Sequence, residues 1–214
     1  MIVYVLLLLL TAAVAYVLGS MSTLVLASNF IFRFNLNRLG RGNDWLSNFR
    51  RVYGVKGALI LLLVEAVKDV LPIVLGGLLL GIKGHADVGR VFAGFCLVMG
   101  RLWPVFYGLK GSHAFMPMFF TAIFAAPSLG IATLLVFLAV LLSRYVTLAV
   151  TVSALIMTAA SFLILDTRLC SLLIAAIGAA VLLRHIPALR RLNNGGEAKI
   201  SFESDLKYKF TRKF

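Results

Sequence analysis

Long apolar segments alternate with short polar connections along this chain, which is the pattern of a helical membrane protein. A helix needs about twenty mostly apolar residues to cross a bilayer, and this length is the guide to the spans. Seven spans are predicted, over residues 2–28, 57–81, 90–104, 114–126, 128–143, 145–165 and 169–185. The third and fourth are short, so we expect them to lie where the bilayer is locally thinner.

Proline and charged residues mark the boundaries between the later spans. Pro127 is expected to end the fourth helix, because proline disfavours helical backbone at the residue before it. Arg144 marks another turn, and so does the pair Asp166 and Arg168. No strict period-two alternation is present, which argues against an outer-membrane barrel.

Composition excludes a soluble class. Hydrophobic residues make up 61% of the chain and charged residues 14%, whereas a soluble domain is about half apolar and about a quarter charged. The first apolar run lacks the basic start of a signal peptide, so we interpret it as the first membrane helix. The predicted fold class is an all-α integral membrane protein with about seven transmembrane helices. We expect one membrane domain, residues 1–194, followed by a basic cytoplasmic tail, residues 195–214.

The basic residues predict the orientation of the spans. The net charge is +13, and most of the 21 basic residues lie in short polar segments such as 33–56 and 184–213. Because cytoplasmic loops are enriched in lysine and arginine, we expect the N-terminus outside and the C-terminus in the cytoplasm. Juxtamembrane charge of this kind suits a bilayer with anionic lipids, and no nucleic-acid partner is expected.

Three polar segments fall on the same predicted cytoplasmic face. They are GRGNDWLSNFRRVYGVKG at 40–57, GRLWPVFYGLKGSH at 100–113, and RHIPALRRLNNGGE at 184–197. Glycine lets the backbone approach a ligand closely, and arginine, lysine and asparagine donate hydrogen bonds. A basic glycine-containing loop often serves topology alone, but three together favour a site for an anion such as phosphate. No cysteine or histidine cluster is present, so neither a metal nor a cofactor is expected.

At these segments the chain resembles the PlsY family, the integral-membrane acyl-phosphate:glycerol-3-phosphate acyltransferases of bacteria. The family's first motif reads approximately Gly-Ser-Gly-Asn-x-Gly-Ala-Thr-Asn-x-x-Arg and corresponds to GRGNDWLSNFRR at 40–51. The second, Gly-His-x-x-Pro-Val-Phe-x-x-Phe-Lys-Gly-Gly-Lys-Gly, corresponds to GRLWPVFYGLKGSHA at 100–114. The third, His-Arg-Glu-Asn-Ile-x-Arg-Leu, corresponds to HIPALRRL at 185–192. No gap interrupts any motif, and the resemblance covers nearly the whole chain.

The resemblance implies transfer of an acyl group from acyl phosphate to glycerol 3-phosphate, which yields lysophosphatidic acid for phospholipid biosynthesis. It implies a multi-pass protein of the bacterial plasma membrane, with the motif loops on the cytoplasmic face, and it names no protein partner. The implied residues for binding substrate or phosphate are Gly40, Arg41, Gly42, Asn43, Asn48, Arg51, Arg101, Lys110 and Gly111. The candidate catalytic residues are Ser47, His113 and His185.

Several positions depart from the family motifs. Arg41 stands at the motif serine, Arg101 at the motif histidine, and His113 at the second motif lysine. Arginine has no hydrogen-bond acceptor, so it replaces neither a hydroxyl nor a general base. One hypothesis is that His113 or His185 takes the proton of the glycerol hydroxyl while Arg41 supplies phosphate contacts.

Other interpretations of these residues stay open at this point. His113 would otherwise be an ordinary loop histidine, and His185 would cap the C-terminal end of the last helix. The alternative function is a catalytically inactive PlsY-like paralogue that binds a lipid precursor or regulates a membrane partner.

The second span contains three charged residues, Glu65, Lys68 and Asp69. Positions three and four residues apart share one face of a helix, so these side chains can pair within the bundle. Ionisable residues within a membrane span indicate function by default. A structural ion pair beneath the first loop is the alternative. In the family, the equivalent stretch resembles Asp-x-x-Lys-Gly, so Asp69 occupies the position of the family's glycine.

Overall fold

The computed structural model describes residues 2–23, 45–109, 111 and 113–194, with side chains from residue 54 onward in the second range. These ranges contain α-helices and one short 3-10 helix, Val105–Tyr107, and no strand. The helices are α1 Ile2–Ser20, α2 Trp45–Gly81, α3 Ala86–Leu102, α4 Phe115–Ala125, α5 Pro127–Leu141, α6 Val146–Ile164 and α7 Arg168–Asn193. The predicted all-α class is therefore confirmed.

The distribution of polar and apolar side chains is that of a membrane protein. Leu142 and Leu163 are 84% and 90% exposed, whereas Glu65 is fully buried. Apolar side chains can cover the outside of a bundle where lipid rather than water surrounds it. Four helical stretches are long and apolar enough to cross a membrane, namely Ile2–Ser20, Ala86–Tyr107, Val146–Ile164 and Arg168–Asn193. The integral-membrane class is confirmed, while seven crossings and the direction of the termini stay predictions.

Helix α3 is the centre of the bundle, because it packs against α1, α2, α4 and α7. On one side, Leu97 lies in a small cluster with Ala15 of α1 and Ile73 of α2. On the other side, Val98 belongs to a larger cluster that includes Met157 of α6 and Ile177 of α7. Helix α3 is therefore held between α1 and α2 on one side and α6 and α7 on the other.

The contact between α2 and α3 is close because both helices present glycine there. A methyl group on Gly76 would lie 2.6 Å from the carbonyl oxygen of Gly89 and 2.6 Å from the Cβ atom of Ala93. It would also lie 3.0 Å from a methyl carbon of Thr11 in α1. Small residues at such contacts let membrane helices gain van der Waals energy from backbone approach. Three helices thus meet at this one position.

We predict that Gly76→Ala destabilises the bundle by about 1–3 kcal/mol, the usual cost of overpacking. The matched control is Gly81→Ala on the same helix, where the added methyl would lie 3.4 Å from the Cβ atom of Ala86. Thermal unfolding in detergent measures both variants against the wild type. Equal melting temperatures for the two variants would contradict this account of the α2–α3 contact.

The helix boundaries agree with the sequence-based prediction at the turns. Pro127 is the first residue of α5 and separates it from α4, as predicted. Arg144 lies in the turn after α5 with a φ of 69°. Asp166 lies between α6 and α7, and α7 begins at Arg168.

The largest differences from the prediction lie at three boundaries. Helix α1 ends at Ser20, although the first span was predicted to continue to residue 28. The stretch 45–53, predicted as loop, is helical and is separated from the rest of α2 by Gly54, whose φ is 72°. Helix α7 does not end near residue 185 but continues through Pro187 to Asn193. Proline removes one backbone hydrogen bond, and membrane helices tolerate this where neighbouring groups compensate. Ala188 beyond the proline is buried, so packing supports the extension.

Candidate functional site

The ends of α1 and α3 meet the second half of α7 at one end of the bundle. The hydroxyl group of Tyr16 in α1 donates a hydrogen bond to the carbonyl oxygen of Trp103, at 2.8 Å. The guanidinium group of Arg184 in α7 donates to the carbonyl oxygen of Gly111, at 3.1 Å. These bonds hold both ends of the segment that carries the second motif.

The chain reverses direction within this segment. After the 3-10 helix, Gly108 and Leu109 both have left-handed backbone, with φ of 59° and 60°. Glycine adopts this conformation without the cost that a side chain adds. The reversal returns Gly111 to the end of α3, where a Cβ atom would lie 2.5 Å from the carbonyl oxygen of Leu102. Residue 113 is thereby directed to α7.

His113 and His185 contact each other at this point. Nδ1 of His113 lies 2.9 Å from Nε2 of His185, and the ring centroids are 5.1 Å apart with planes inclined by 19°. Nδ1 of His185 lies 2.7 Å from the carbonyl oxygen of Val181, one turn earlier in α7. His185 is buried, and His113 is partly exposed. The structure thus joins two candidate residues that are separated by 72 positions in sequence.

The location of His185 corrects one interpretation. We considered it a cap at the C-terminal end of the last helix, but α7 continues to Asn193 and His185 lies inside it. Its ring hydrogen bond to Val181 is made within the helix, and its second nitrogen faces the motif loop. The sequence alone does not predict this contact between His185 and the motif loop, because the contact depends on the chain reversal at Gly108.

A second polar cluster lies beneath the loop, between α2 and α3. Nη2 of Arg101 is 2.7 Å from Oε1 of Glu65. Nζ of Lys68 is 3.5 Å from Oε1 of Glu65 and 3.5 Å from Oδ1 of Asp69. Lys68 also donates to the carbonyl oxygen of Met21, just after α1, at 3.2 Å. All four side chains are buried, and their formal charges cancel.

This cluster changes the interpretation of Arg101, which we predicted to bind phosphate. Its side chain is 10% exposed and its guanidinium group pairs with Glu65. A buried cation is costly unless an anion lies beside it, and Glu65 supplies that anion. One signal in the sequence pointed to this arrangement: an extra carboxylate, Asp69, accompanies an extra cation, Arg101, relative to the family motifs.

The remaining predicted site residues are less fully described. Ser47, Asn48 and Arg51 belong to the helical stretch 45–53, whose backbone alone is described. The other predicted residues, Gly40, Arg41, Gly42, Asn43 and Lys110, lie outside the described ranges, as does the tail 195–214. The geometry therefore joins the second and third motif segments.

Comparison with known proteins covers almost the whole chain. The family model described as "Glycerol-3-phosphate acyltransferase" matches residues 9–195. A glycerol-3-phosphate acyltransferase from Thermoanaerobacter pseudethanolicus is 25% identical over 202 residues, which cover 92% of this chain and 98% of the relative. The Listeria monocytogenes EGD-e protein of the same name is 29% identical over 197 residues, covering 91% of this chain and 98% of the relative.

Two solved structures share the fold. The crystal structure of PlsY in its glycerol 3-phosphate form has a TM-score of 0.75 and 24% identity, and the alignment covers 93% of this chain and 98% of PlsY. The lysophosphatidic acid form has a TM-score of 0.72 and 24% identity, with 95% and 99% covered. Since the family model matches residues 9–195 of a chain of 214, this protein belongs to the glycerol-3-phosphate acyltransferase family.

Proposed function

We propose that this protein is a membrane acyltransferase that moves an acyl group from an acyl phosphate to a hydroxyl group of glycerol 3-phosphate. The products are lysophosphatidic acid and inorganic phosphate. The family match over residues 9–195 is the observation that carries this proposal. The shared fold with PlsY, solved in its glycerol 3-phosphate and lysophosphatidic acid forms, supports it.

The residue types of the motif segments suit two phosphate-bearing substrates. Both substrates bring negative charge to the site, and the tetrahedral intermediate adds more, so donors fixed in advance lower the barrier. We assign this role to the glycines, amides and cations of the first two motifs, namely Gly40, Arg41, Gly42, Asn43, Ser47, Asn48, Arg51, Lys110 and Gly111. Arg101 is assigned instead to its ion pair with Glu65.

The distribution of basic residues supports a cytoplasmic location for the site. With the N-terminus outside and the C-terminus in the cytoplasm, the motif segments and the basic tail face the cytoplasm. That side of a bacterial plasma membrane presents anionic headgroups, which attract juxtamembrane lysine and arginine. A soluble substrate such as glycerol 3-phosphate would then enter from the cytoplasm.

The alternative of an inactive paralogue is not favoured. Curated relatives that match 91% or 92% of this chain carry the name of the enzyme. The motif departures therefore indicate a changed set of side chains for the same reaction.

The test of this function is phosphate release by the full chain in detergent, with palmitoyl phosphate and glycerol 3-phosphate supplied. We expect release that depends on glycerol 3-phosphate. Arg51→Ala is expected to lower kcat/KM by about 10²–10³, the effect of removing one donor to developing negative charge. Arg144→Ala is the control, because Arg144 is an exposed arginine in the α5–α6 turn. Folded wild-type protein that binds both substrates but releases no phosphate would overturn the proposal.

A further inference from the structure

A groove lies along one face of the second half of α7. Its volume is about 390 Å³, and its described lining consists of Ile186, Leu189, Arg190, Asn193 and Asn194. Side chains three or four residues apart share one face of a helix, so these five form a single stripe. The volume is within the range of sites that take small molecules, roughly 300–1,000 Å³. The groove can therefore hold a ligand of the size of a lipid headgroup.

The groove lies at the depth of the headgroups of a bilayer. Helix α7 has 26 residues, and at 1.5 Å per residue it is about 39 Å long. The hydrocarbon core of a bilayer is about 30 Å thick, so the helix extends beyond it. The stretch from Leu169 to Leu183 has no charged side chain, whereas residues 184–194 contain three arginines. The excess length therefore falls at the end that carries the groove.

Polarity changes along the stripe in the same direction as it changes along a lipid. Ile186 and Leu189 come first and are apolar, and Ile186 is exposed. Arg190, Asn193 and Asn194 follow one turn later, and all three are exposed. A guanidinium fork binds two phosphate oxygens at once, and an asparagine amide donates further hydrogen bonds. The stripe thus matches an acyl chain on its inner side and a phosphate group on its outer side.

The charge of the groove indicates the class of lipid. Among the described residues, no carboxylate forms an ion pair with Arg190. Arg191 adds a second positive charge next to it, and residues 184–194 include no acidic side chain. A zwitterionic headgroup would bring its own cation to these arginines, whereas an anionic headgroup brings only negative charge. Electrostatic complementarity therefore favours an anionic phospholipid.

We propose that the groove on α7 binds one anionic phospholipid, with its phosphate group on Arg190, Asn193 and Asn194. The first part of an acyl chain lies on Ile186 and Leu189. The occupant is a lipid of the bilayer and not a reactant of the acyl transfer, so this inference goes beyond the proposed function. Arg190 corresponds to an unspecified position of the third family motif, so the motif itself does not require this cation.

The test is binding of dioctanoyl phosphatidylglycerol to the full chain in a neutral detergent. A ligand that binds only the folded protein raises Tm as its concentration rises, so thermal unfolding across a titration gives Kd. We expect a saturable rise with this lipid and a Kd at least about tenfold weaker for dioctanoyl phosphatidylcholine, because of the added cation. Equal Kd values for the two lipids would overturn the proposed selection by charge.

The primary variant is Arg190→Gln, which removes the guanidinium fork from the groove. We expect it to weaken the Kd for dioctanoyl phosphatidylglycerol by about tenfold, the effect of losing a hydrogen bond to a charged group. Arg191→Gln is the matched control, because Arg191 is an exposed arginine of the same helix that is not in the described lining. Its effect should be under about threefold, as for an exposed charge without a fixed contact. Equal losses in the two variants would overturn the groove as the binding site.

A second pair of measurements separates a lipid from a free phosphate. Ile186→Ser is expected to weaken the binding of dioctanoyl phosphatidylglycerol by about five- to tenfold, because an acyl chain loses apolar contact. Inorganic phosphate has no acyl chain, so any rise in Tm that it causes should be the same in Ile186→Ser and in Arg190→Gln as in the wild type. A phosphate effect that disappears in Arg190→Gln, together with unchanged lipid binding in Ile186→Ser, would overturn the lipid as the occupant.

The outcomes distinguish this inference from the proposed function, because the binding measurement needs no turnover. Arg51→Ala, which is expected to lose acyl transfer, should keep the wild-type Kd for dioctanoyl phosphatidylglycerol. An active wild type that shows no saturable lipid binding overturns the lipid site and leaves the acyltransferase intact. A wild type that binds the lipid through Arg190 but releases no phosphate overturns the function alone. Loss of lipid binding in Arg51→Ala would assign the lipid to the substrate site and overturn a separate groove.

Discussion

Replacing Glu65 with leucine is expected to lower the free energy of unfolding by about 3–5 kcal/mol, the cost of removing one partner of a buried ion pair. Glu65 is fully buried, and both Arg101 and Lys68 lie beside its Oε1 atom. Without this carboxylate, Asp69 alone would face two buried cations. The measurement is thermal or denaturant unfolding in detergent.

A double variant tests whether the cost comes from the stranded charge. In Glu65→Leu with Arg101→Met, the carboxylate and its partner cation disappear together, leaving Lys68 with Asp69 at 3.5 Å. We expect the double variant to recover most of the stability, because a buried pair is often replaceable by apolar residues of similar volume. Equal stability of the double variant and Glu65→Leu would contradict this explanation.

An exposed pair provides the control for the same chemistry. Asp87 and Arg90 are also three residues apart, with 3.1 Å between Oδ1 and Nη1, but the Asp87 side chain is 71% exposed. Asp87→Leu is expected to change stability by less than about 1 kcal/mol, since water solvates both charges. A loss as large as that of Glu65→Leu would show that burial is not the cause.

Adding one methyl group at Gly111 is expected to lower kcat/KM by about 10²-fold, the effect of misplacing a reacting group by about 1 Å. A Cβ atom there would overlap the carbonyl oxygen of Arg101 and lie 2.7 Å from the carbonyl carbon of Leu102. Both neighbours are backbone at the end of α3, so the loop must move instead. Its displacement would separate His113 from His185 and weaken the bond from Arg184.

The control for Gly111→Ala is again Gly81→Ala, which adds the same methyl group at the other end of the bundle with only ordinary contact. Phosphate release and thermal unfolding are measured for both. We expect Gly111→Ala to lose activity with a smaller loss of stability than Gly76→Ala, because the loop can shift where a packed helix cannot. Unchanged kcat/KM would contradict the assigned role of this close approach.

The parts of the fold that depend on local chemistry were predictable from the sequence. Pro127 and Arg144 mark turns because covalent geometry and charge act on the residues next to them. The end of α7 was not predictable in this way, because the local penalty of Pro187 competes with packing farther along the helix. A sequence pattern that is analysed one helix at a time includes the local penalty of Pro187 but not the packing that compensates for it.

The same distinction applies to the site. The motif spacing identified His113, His185 and Gly111 as candidates, and the fold joins them through contacts between distant segments. The ion pair of Arg101 was not predicted, because its partner, Glu65, lies on another helix. Charge alone shows that an arginine needs an anion, and only the packing of α2 against α3 shows whether that anion is a side chain or a substrate.

The bonds from α7 to the motif loop also bear on how the protein is made. Arg184 and His185 hold Gly111 and His113, yet α7 is synthesised after the six other described helices. During insertion, the earlier helices can enter the membrane and pack while the loop still lacks these contacts. Acyl transfer should therefore begin only when α7 has docked, so that nascent chains stalled before residue 184 are inserted but inactive.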